Sequence, residues 1–204
     1  MKPTKTSKTK EVAPAAELPT LAFATPRAFS DWLAEHHASS RGLWLRLARK
    51  GSGTASITYA EAIDVALAWG WIDGQKQRGD AASWLQKFTP RGVKSVWSRI
   101  NREKALALIE AGAMQPAGLA AVERAKQDGR WDAAYDPPSR ATVPDDLQAA
   151  LANNPTAAAF FQTLDAKNRY SVLWRVQTAK KAETRQKRIA ELVAMLARGE
   201  KVHP

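Results

Sequence analysis

The sequence predicts an α+β protein, with a small N-terminal α/β part that contains a short antiparallel or mixed sheet and an all-helical C-terminal part. Short segments of alternating residues occur in the first half at residues 43–49 and 84–88, and residues 71–74 indicate a further short strand that leads into a turn. After residue 98 the apolar residues recur at helical spacing, and proline or glycine marks the ends of successive segments. Strands followed by a run of helices, without repeating βαβ units, are typical of α+β folds.

Two helices are predicted within the N-terminal part. The first begins at Thr25-Pro26, because threonine can cap a helix and proline suits its first turn. Its apolar stripe begins at Phe29. The second helix begins at Thr58, which has the spacing of a capping box with Glu61.

Six helices are predicted beyond the strands. The first two end at Gly112 and Gly129, since glycine commonly terminates helices. The other four begin near residues 143, 154, 166 and 182. From the apolar spacing, Leu119 and Trp174 are expected to point into the core.

The predicted domain organisation has three parts. Residues 1–21 are rich in Lys, Thr, Pro and Ala with little to bury, and we expect a disordered basic tail. Residues 22–98 form the α/β part, and residues 99–204 form the helical part. For a chain of 204 residues, we expect both parts to pack as one compact unit.

Composition limits the function. The chain has no cysteine, which excludes disulfides, thiolate metal sites and cysteine nucleophiles. No apolar run approaches the roughly 20 residues of a membrane span, and no apolar signal core follows the basic start. His36 and His37 are adjacent and cannot both face one site on a helix. HExxH, P-loop and GxSxG motifs are absent, so we expect no metal or cofactor and a binder in preference to an enzyme. The lack of cysteines, of an apolar signal core and of a membrane span leads us to expect a cytoplasmic protein without a transmembrane segment.

The stretch from Ala68 to Asn101 contains the best candidate for a ligand site. It holds four of the eight tryptophans. Basic residues here precede a predicted helix start, and a helix N-terminus beside arginine can bind an anion. The alternative is that Ser95 or Ser98 only caps its own helix, while Arg91 pairs with an acid. The candidate ligand-binding residues are Asp73, Arg91, Lys94, Trp97, Ser98 and Asn101.

A second candidate is a basic surface. The net charge is +11, and residues 167–204 contribute ten Lys and Arg against three Glu, which gives +7. Such a surface can bind an anion or nucleic acid, but it can equally be a solvated helix face. The candidate residues are Arg130, Lys180, Lys181, Arg185 and Arg188.

Several motifs also carry a resemblance. They are GWIDG at 70–74, FTPR at 88–91, SVWSRIN at 95–101, MQPAG at 114–118, AKQDGRW at 125–131 and AKKAETR at 179–185. With these motifs in this order, the sequence from Phe29 to Arg198 resembles the YdeI/OmpD-associated family, also labelled bacteriocin-protection proteins. The resemblance implies a role in tolerance of bacteriocins or cationic peptides, and it implies no catalytic residue.

Three functional hypotheses follow. The first is a non-enzymatic stress or antimicrobial-tolerance protein that binds an anionic ligand or a protein partner. The second is a nonspecific nucleic-acid-binding protein that uses the basic C-terminal helix. The third is an enzyme with a pocket around Asp73 and Arg91. The sequence leaves the ligand and the oligomeric state open.

Overall fold

The computed structural model describes residues 17–204 and confirms the α+β fold. The N-terminal part contains β1 (Thr20–Leu21), α1 (Pro26–His36), β2 (Leu43–Ala48), α2 (Tyr59–Ala68), β3 (Trp71–Arg78) and β4 (Ser83–Pro90). Helices alone follow: α3 (Arg99–Glu110), α4 (Pro116–Gln127), α5 (Asp145–Ala152), α6 (Pro155–Thr163), α7 (Ala166–Gln177) and α8 (Ala182–Ala197). No helix within residues 17–204 combines the length and the apolar character needed to cross a membrane.

The four strands form one mixed sheet in the order β1-β2-β4-β3. β4 is antiparallel to both of its neighbours, and β1 is parallel to β2, with Thr20 opposite Trp44. Residues 1–16 of the predicted disordered tail lie outside the described residues. The last two residues of that predicted tail form β1, so the tail does not extend through them.

Local sequence signals set where the helices begin. Thr25 accepts a hydrogen bond from the backbone N–H of Ala28 and caps α1. At α2, the hydroxyl of Thr58 accepts from Glu61 N, and Glu61 Oε2 accepts from Thr58 N at 2.8 Å. This is the predicted capping box, which satisfies two backbone N–H groups that would otherwise lack partners.

Buried apolar side chains form two clusters. The first core extends from Phe29 to Ala134 and includes one face of the sheet together with side chains of α1–α4. The second core extends from Leu147 to Leu196 and is built by α5–α8. The predicted division at residue 98 therefore separates α3 and α4 from the sheet whose core they share.

One segment connects the two cores. Tyr135 pairs with the chain beside Trp97, since Tyr135 N donates to Trp97 O at 3.0 Å. The next residue, Asp136, donates from its backbone N to Gln177 Oε1 at 3.0 Å and accepts from the hydroxyl of Tyr170 at 3.0 Å. Tyr135 and Asp136 thus join the first core to α7.

Two residues predicted to point inward lie at the surface. Leu119 is 40% exposed and Trp174 is 37% exposed. In α4 the buried face consists of smaller residues because Gly118 packs against the end of α2, where an added Cβ would lie 2.2 Å from the carbonyl oxygen of Ala68. Because Gly118 faces α2 at this close contact, Leu119 lies on the exposed side of α4.

Candidate functional site

A cavity of about 390 Å³ lies where the two cores meet. All three tyrosines of the chain, Tyr59, Tyr135 and Tyr170, line this cavity. We call it the tyrosine cavity. Its polar and proline wall residues are Asp73, Ser98, Asn101, Lys104, Pro137 and Pro138. The volume lies within the roughly 300–1,000 Å³ that is usual for small-molecule sites.

The sheet and α2 place a carboxylate and a phenol side by side. Asp73 precedes a register shift between Asp73 and Lys76 in the pairing of β3 with β4. Tyr59 is the first residue of α2, directly after the capping Thr58. The hydroxyl of Tyr59 donates to Asp73 Oδ2 at 2.6 Å. Partial burial and this hydrogen bond both raise the pKa of Tyr59.

The other two tyrosines are also held in their neutral form. Burial raises the pKa of Tyr170 to about 12 and raises the pKa of Tyr135 above its usual value. The hydroxyl of Tyr170 donates to the carbonyl of Asp136. Within residues 17–204, no hydrogen bond involves the hydroxyl of Tyr135. At neutral pH these groups can therefore donate and accept hydrogen bonds, but they are poor bases.

The N-terminal turns of α3 supply the facing wall. Ser98 caps the helix, because its hydroxyl accepts from Asn101 N at 3.1 Å. Lys104 Nζ forms an ion pair with Asp64 Oδ1 at 2.5 Å. The side-chain amide of Asn101 has no partner among the described residues, so it is the wall group of α3 that is available to a ligand.

Arg91 lies near the cavity-wall residues Asp73 and Tyr135 and is only 7% exposed. Its guanidinium stacks on the ring of Trp97, with Cζ 3.7 Å from the ring centroid, and its Nη1 donates to Val96 O at 3.2 Å. Burial lowers the pKa of Arg91 to about 10, which still leaves it charged at neutral pH. Within the part of the chain described here, its Nε and Nη2 atoms are buried without a hydrogen-bond partner, as is Nε1 of Trp97.

The predicted ligand-binding residues are only partly brought together. Asp73, Ser98 and Asn101 line the tyrosine cavity, while Arg91 and Trp97 pack beside it and are absent from its wall. The predicted alternative of an Arg91 ion pair with an acid is not found among residues 17–204. Lys94 is exposed and does not line the cavity.

The sequence did not indicate that the three tyrosines meet. Helical spacing places Tyr59 and Tyr170 on predicted helices and leaves Tyr135 in a predicted loop. They are far apart in the chain, and no spacing rule connects them. The one feature visible in the sequence is that the chain contains only three tyrosines.

Arg130 does not lie on the predicted basic surface. It is 5% exposed, and its Nε donates to both carboxylate oxygens of Asp128 at 2.7 Å. Its Nη1 donates to Ser95 O at 2.8 Å. Arg130 therefore ties the end of α4 to the segment before α3.

The remaining predicted basic residues differ in availability. Arg185 forms a bidentate pair with Asp146 at 2.5 and 2.8 Å, which joins α8 to α5. Arg188 donates to the carbonyl of Arg175 at 2.7 Å, near the C-terminal end of α7. Lys180 and Lys181 are exposed between α7 and α8. The guanidinium of Arg185 is therefore occupied by Asp146 and Val176 O, whereas the two lysines are available to an anion.

No group of three or more His, Cys, Asp or Glu residues within residues 17–204 is arranged to hold a metal ion.

Comparison with protein families places the two cores in different models. Residues 140–199 match the family described as Bacteriocin-protection, YdeI or OmpD-Associated. This confirms the predicted family over these residues. Residues 21–121 match a domain of unknown function, DUF8412. No curated protein and no solved structure matches the chain.

The tyrosine cavity lies across both matched regions. Tyr59, Asp73 and Asn101 belong to the domain of unknown function, and Tyr170 belongs to the bacteriocin-protection match. Tyr135 lies between the two matched regions, in the segment that connects the cores. The cavity therefore requires both matched regions and their connection.

Proposed function

We propose that this member of the bacteriocin-protection, YdeI or OmpD-associated family is a cytoplasmic, non-enzymatic binding protein that holds a small anionic ligand in the tyrosine cavity. The observation that supports this proposal best is Arg91. It is a buried, charged guanidinium without an ion-pair partner among the described residues, and it lies beside a cavity of ligand size. We further propose that protection against bacteriocins depends on this binding.

The walls suit a flat ligand. Phenol rings and the two prolines offer apolar surface, and small-molecule sites typically combine such surface with a few fixed polar groups. The amide of Asn101 and the hydroxyl of Tyr135 supply those polar groups. A ligand ring between the tyrosines would leave its polar edge within reach of α3.

The distribution of charge supports an anion. Lys104 is neutralised by Asp64, and Asp73 accepts a hydrogen bond from Tyr59. Arg91 has no such partner, and an unpaired buried charge is costly. An anionic group in the cavity would reduce that cost through its charge. Because Arg91 lies beside the wall, direct contact requires a neighbouring side chain to move.

The planar guanidinium of Arg91 indicates how an anionic group of the ligand would bind. Nε and Nη2 lie on one edge of the guanidinium, and both lack partners within residues 17–204. An arginine edge of this kind can bind a carboxylate or phosphate through two parallel hydrogen bonds. Stacking on Trp97 already orders the guanidinium, so little further side-chain entropy is lost on binding.

The test uses three ligands that share a ring and differ in charge: benzoate, benzyl alcohol and benzylamine. Thermal stabilisation of the purified full chain is measured with each, since a ligand that binds only the folded state raises Tm. We expect the largest rise with benzoate. A rise with benzylamine alone would contradict an anionic ligand, and no rise with any of the three would contradict the site.

Variants locate the binding. Arg91→Gln removes the charge and is expected to abolish the benzoate effect, whereas Arg91→Lys is expected to retain part of it. Arg27→Gln serves as the matched control, because Arg27 pairs with Asp31 on the exposed face of α1. An unchanged benzoate effect in Arg91→Gln would remove Arg91 from the proposal.

A further inference from the structure

A second concave surface lies between α7 and α8, on the outside of the second core. This α7–α8 groove has a volume of about 410 Å³. Trp174, Leu192 and Met195 form its apolar surface, and Arg175 and Arg188 also line it. It is separate from the tyrosine cavity and does not depend on the function proposed for that cavity.

Trp174 is unusual among the tryptophans of the described chain. It is 37% exposed, and among residues 17–204 it is the one tryptophan in the set of exposed large hydrophobic side chains. Its ring meets Tyr135 edge to face, with the centroids 6.2 Å apart. A tryptophan held in a fixed orientation beside aliphatic and thioether groups is a typical anchor region for a partner side chain.

The positive charges around the groove favour an acidic partner. Arg175 is exposed, and its guanidinium forms no hydrogen bond or ion pair within residues 17–204. Arg188 is held near it by its bond to the carbonyl of Arg175. Lys180 and Lys181 are exposed in the connection between the same two helices. A partner segment with Asp or Glu beside its apolar anchor complements this surface.

We infer that the α7–α8 groove binds an acidic amphipathic helix of a partner protein. An apolar side chain of that helix enters between Trp174 and Met195, and acidic side chains face Arg175 and Arg188. Helices that insert an apolar face into such a groove are a recurring mode of peptide recognition.

Two other occupants fit the groove less well. Nucleic acid usually binds to aromatic platforms for successive bases, but here one tryptophan is followed by leucine and methionine. Glu191 also lines the groove, and its carboxylate lies 4.0 Å from Lys187 Nζ, so it does not discriminate between phosphates and acidic side chains. The chain's own residues 1–16 carry four Lys and one Glu, so that segment does not supply the acidic charge, and the net charge of +11 disfavours a second copy.

The test is a selection from a displayed library of random peptides of about 16 residues, long enough for four helical turns. The full-length protein is the bait. We expect the selected peptides to combine Asp or Glu with Leu, Phe, Trp or Met at helical spacing. Fluorescence anisotropy then measures the affinity of one labelled selected peptide for the protein and its variants.

Two substitutions on α7 form a matched pair. Arg175→Glu and Lys167→Glu make the same change in net charge, but Lys167 lies more than two turns away at the start of the helix. We expect Arg175→Glu to weaken binding by about tenfold or more and Lys167→Glu to change it by less than about twofold. Trp174→Ala should weaken binding as well, and circular dichroism verifies that all three variants are folded.

Three results would overturn the inference. They are a selection that yields no peptide or only basic peptides, equal effects of the two charge reversals, and binding of oligothymidylate that Arg175→Glu abolishes while the peptides do not compete. The last result would assign the groove to nucleic acid. Benzoate binding in the tyrosine cavity is measured separately, so its failure would leave this result unaffected.

Discussion

The two cores differ in how completely their buried polar groups are satisfied. In the second core Asn168 is buried, and its side chain both accepts from the backbone N–H of His203 and donates to Asp165. In the first core Arg91 and Trp97 bury polar atoms that have no partner within the described residues. A buried polar group without a partner needs an explanation, and a functional role is one such explanation.

The two cores therefore offer different kinds of candidate binding surface. The second core is a satisfied helical bundle whose outer surface is available for a partner. The first core contains a buried arginine without an ion-pair partner among the described residues, and this arginine supports the binding site proposed for the tyrosine cavity. The outer surface of the second core is nearly independent of the tyrosine cavity, because the helices α5–α8 contribute only one residue, Tyr170, to the cavity wall.

The largest expected effect is the loss of a buried aromatic ring from one core, which tests whether the two cores unfold separately. Phe161→Ala in the second core and Phe88→Ala in the first each remove a fully buried ring, and each should cost about 3–5 kcal/mol of unfolding free energy. Seven of the eight tryptophans lie in the first region, so tryptophan fluorescence reports mainly on that region. In Phe161→Ala, loss of helical circular dichroism should precede the fluorescence change.

Phe88→Ala should reverse that order. Chemical denaturation followed by both signals provides the measurement. Coincident transitions in both variants would show that the cores unfold as one cooperative unit, as a single compact domain does.

The contact between α2 and α4 tests the first core alone. Gly118→Ala would place a methyl group against the carbonyl of Ala68, and we expect a loss of about 1–3 kcal/mol. Gly92→Ala is the control, because the nearest atom to its added Cβ is 4.0 Å away. Equal melting temperatures for the two variants would contradict the close approach of these helices.

The second core contains an ion pair between Arg185 and Asp146, which joins two of its helices. Arg185→Ala removes a bidentate bond to Asp146 and a bond to Val176 O, and we expect a loss of about 1–2 kcal/mol because Asp146 is partly exposed. Arg185 lowers the pKa of Asp146. The pair therefore stabilises the fold above the ordinary carboxylate pKa and loses its effect as pH falls through the lowered value.

Denaturation of the parent and of Arg185→Ala at several pH values provides the test. The difference in stability should shrink in acid. A difference that is the same at neutral and strongly acidic pH would mean that the ion pair does not contribute.

The smallest effect concerns the cavity itself. Because all three tyrosines line it, the alkaline titration of phenolate absorbance in the native protein reports on the cavity alone. Each folded-state pKa is raised, so the native titration should lie above the usual tyrosine value of about 10. These groups stabilise the fold below about pH 10, and that contribution is lost as pH rises through the raised values, about 12 for Tyr170.

The denatured chain provides the reference for this titration. Its tyrosines should ionise near the usual value. Native and denatured curves that coincide would show that the tyrosines are freely solvated and that no cavity encloses them.

Local signals in the sequence predicted the elements well. Thr58 with Glu61, Thr25 with Pro26 and the alternation from Leu43 onward each depend on neighbouring residues, so the sequence contains the whole signal. Of the cavity wall, Asp73, Ser98 and Asn101 were predicted from one such stretch.

Tertiary contacts could not be predicted in the same way. Helical spacing assigned Leu119 to the core, but the approach of Gly118 to Ala68 determines which face of α4 is buried. The meeting of Tyr59, Tyr135 and Tyr170 depends on how two cores join, and no local pattern records that. Arg130 has the charge of a surface residue, but its partner Asp128 allows it to be buried.

The position of the tyrosine cavity also determines what a shortened chain can do. A fragment that ends at residue 121 retains Tyr59 and Asp73 but lacks Tyr135 and Tyr170, and a fragment that begins at residue 140 retains only Tyr170. Neither fragment contains the complete wall, because the connecting segment supplies Tyr135, Pro137 and Pro138. We therefore propose that substitutions in this short connection change ligand binding while both flanking folds stay the same.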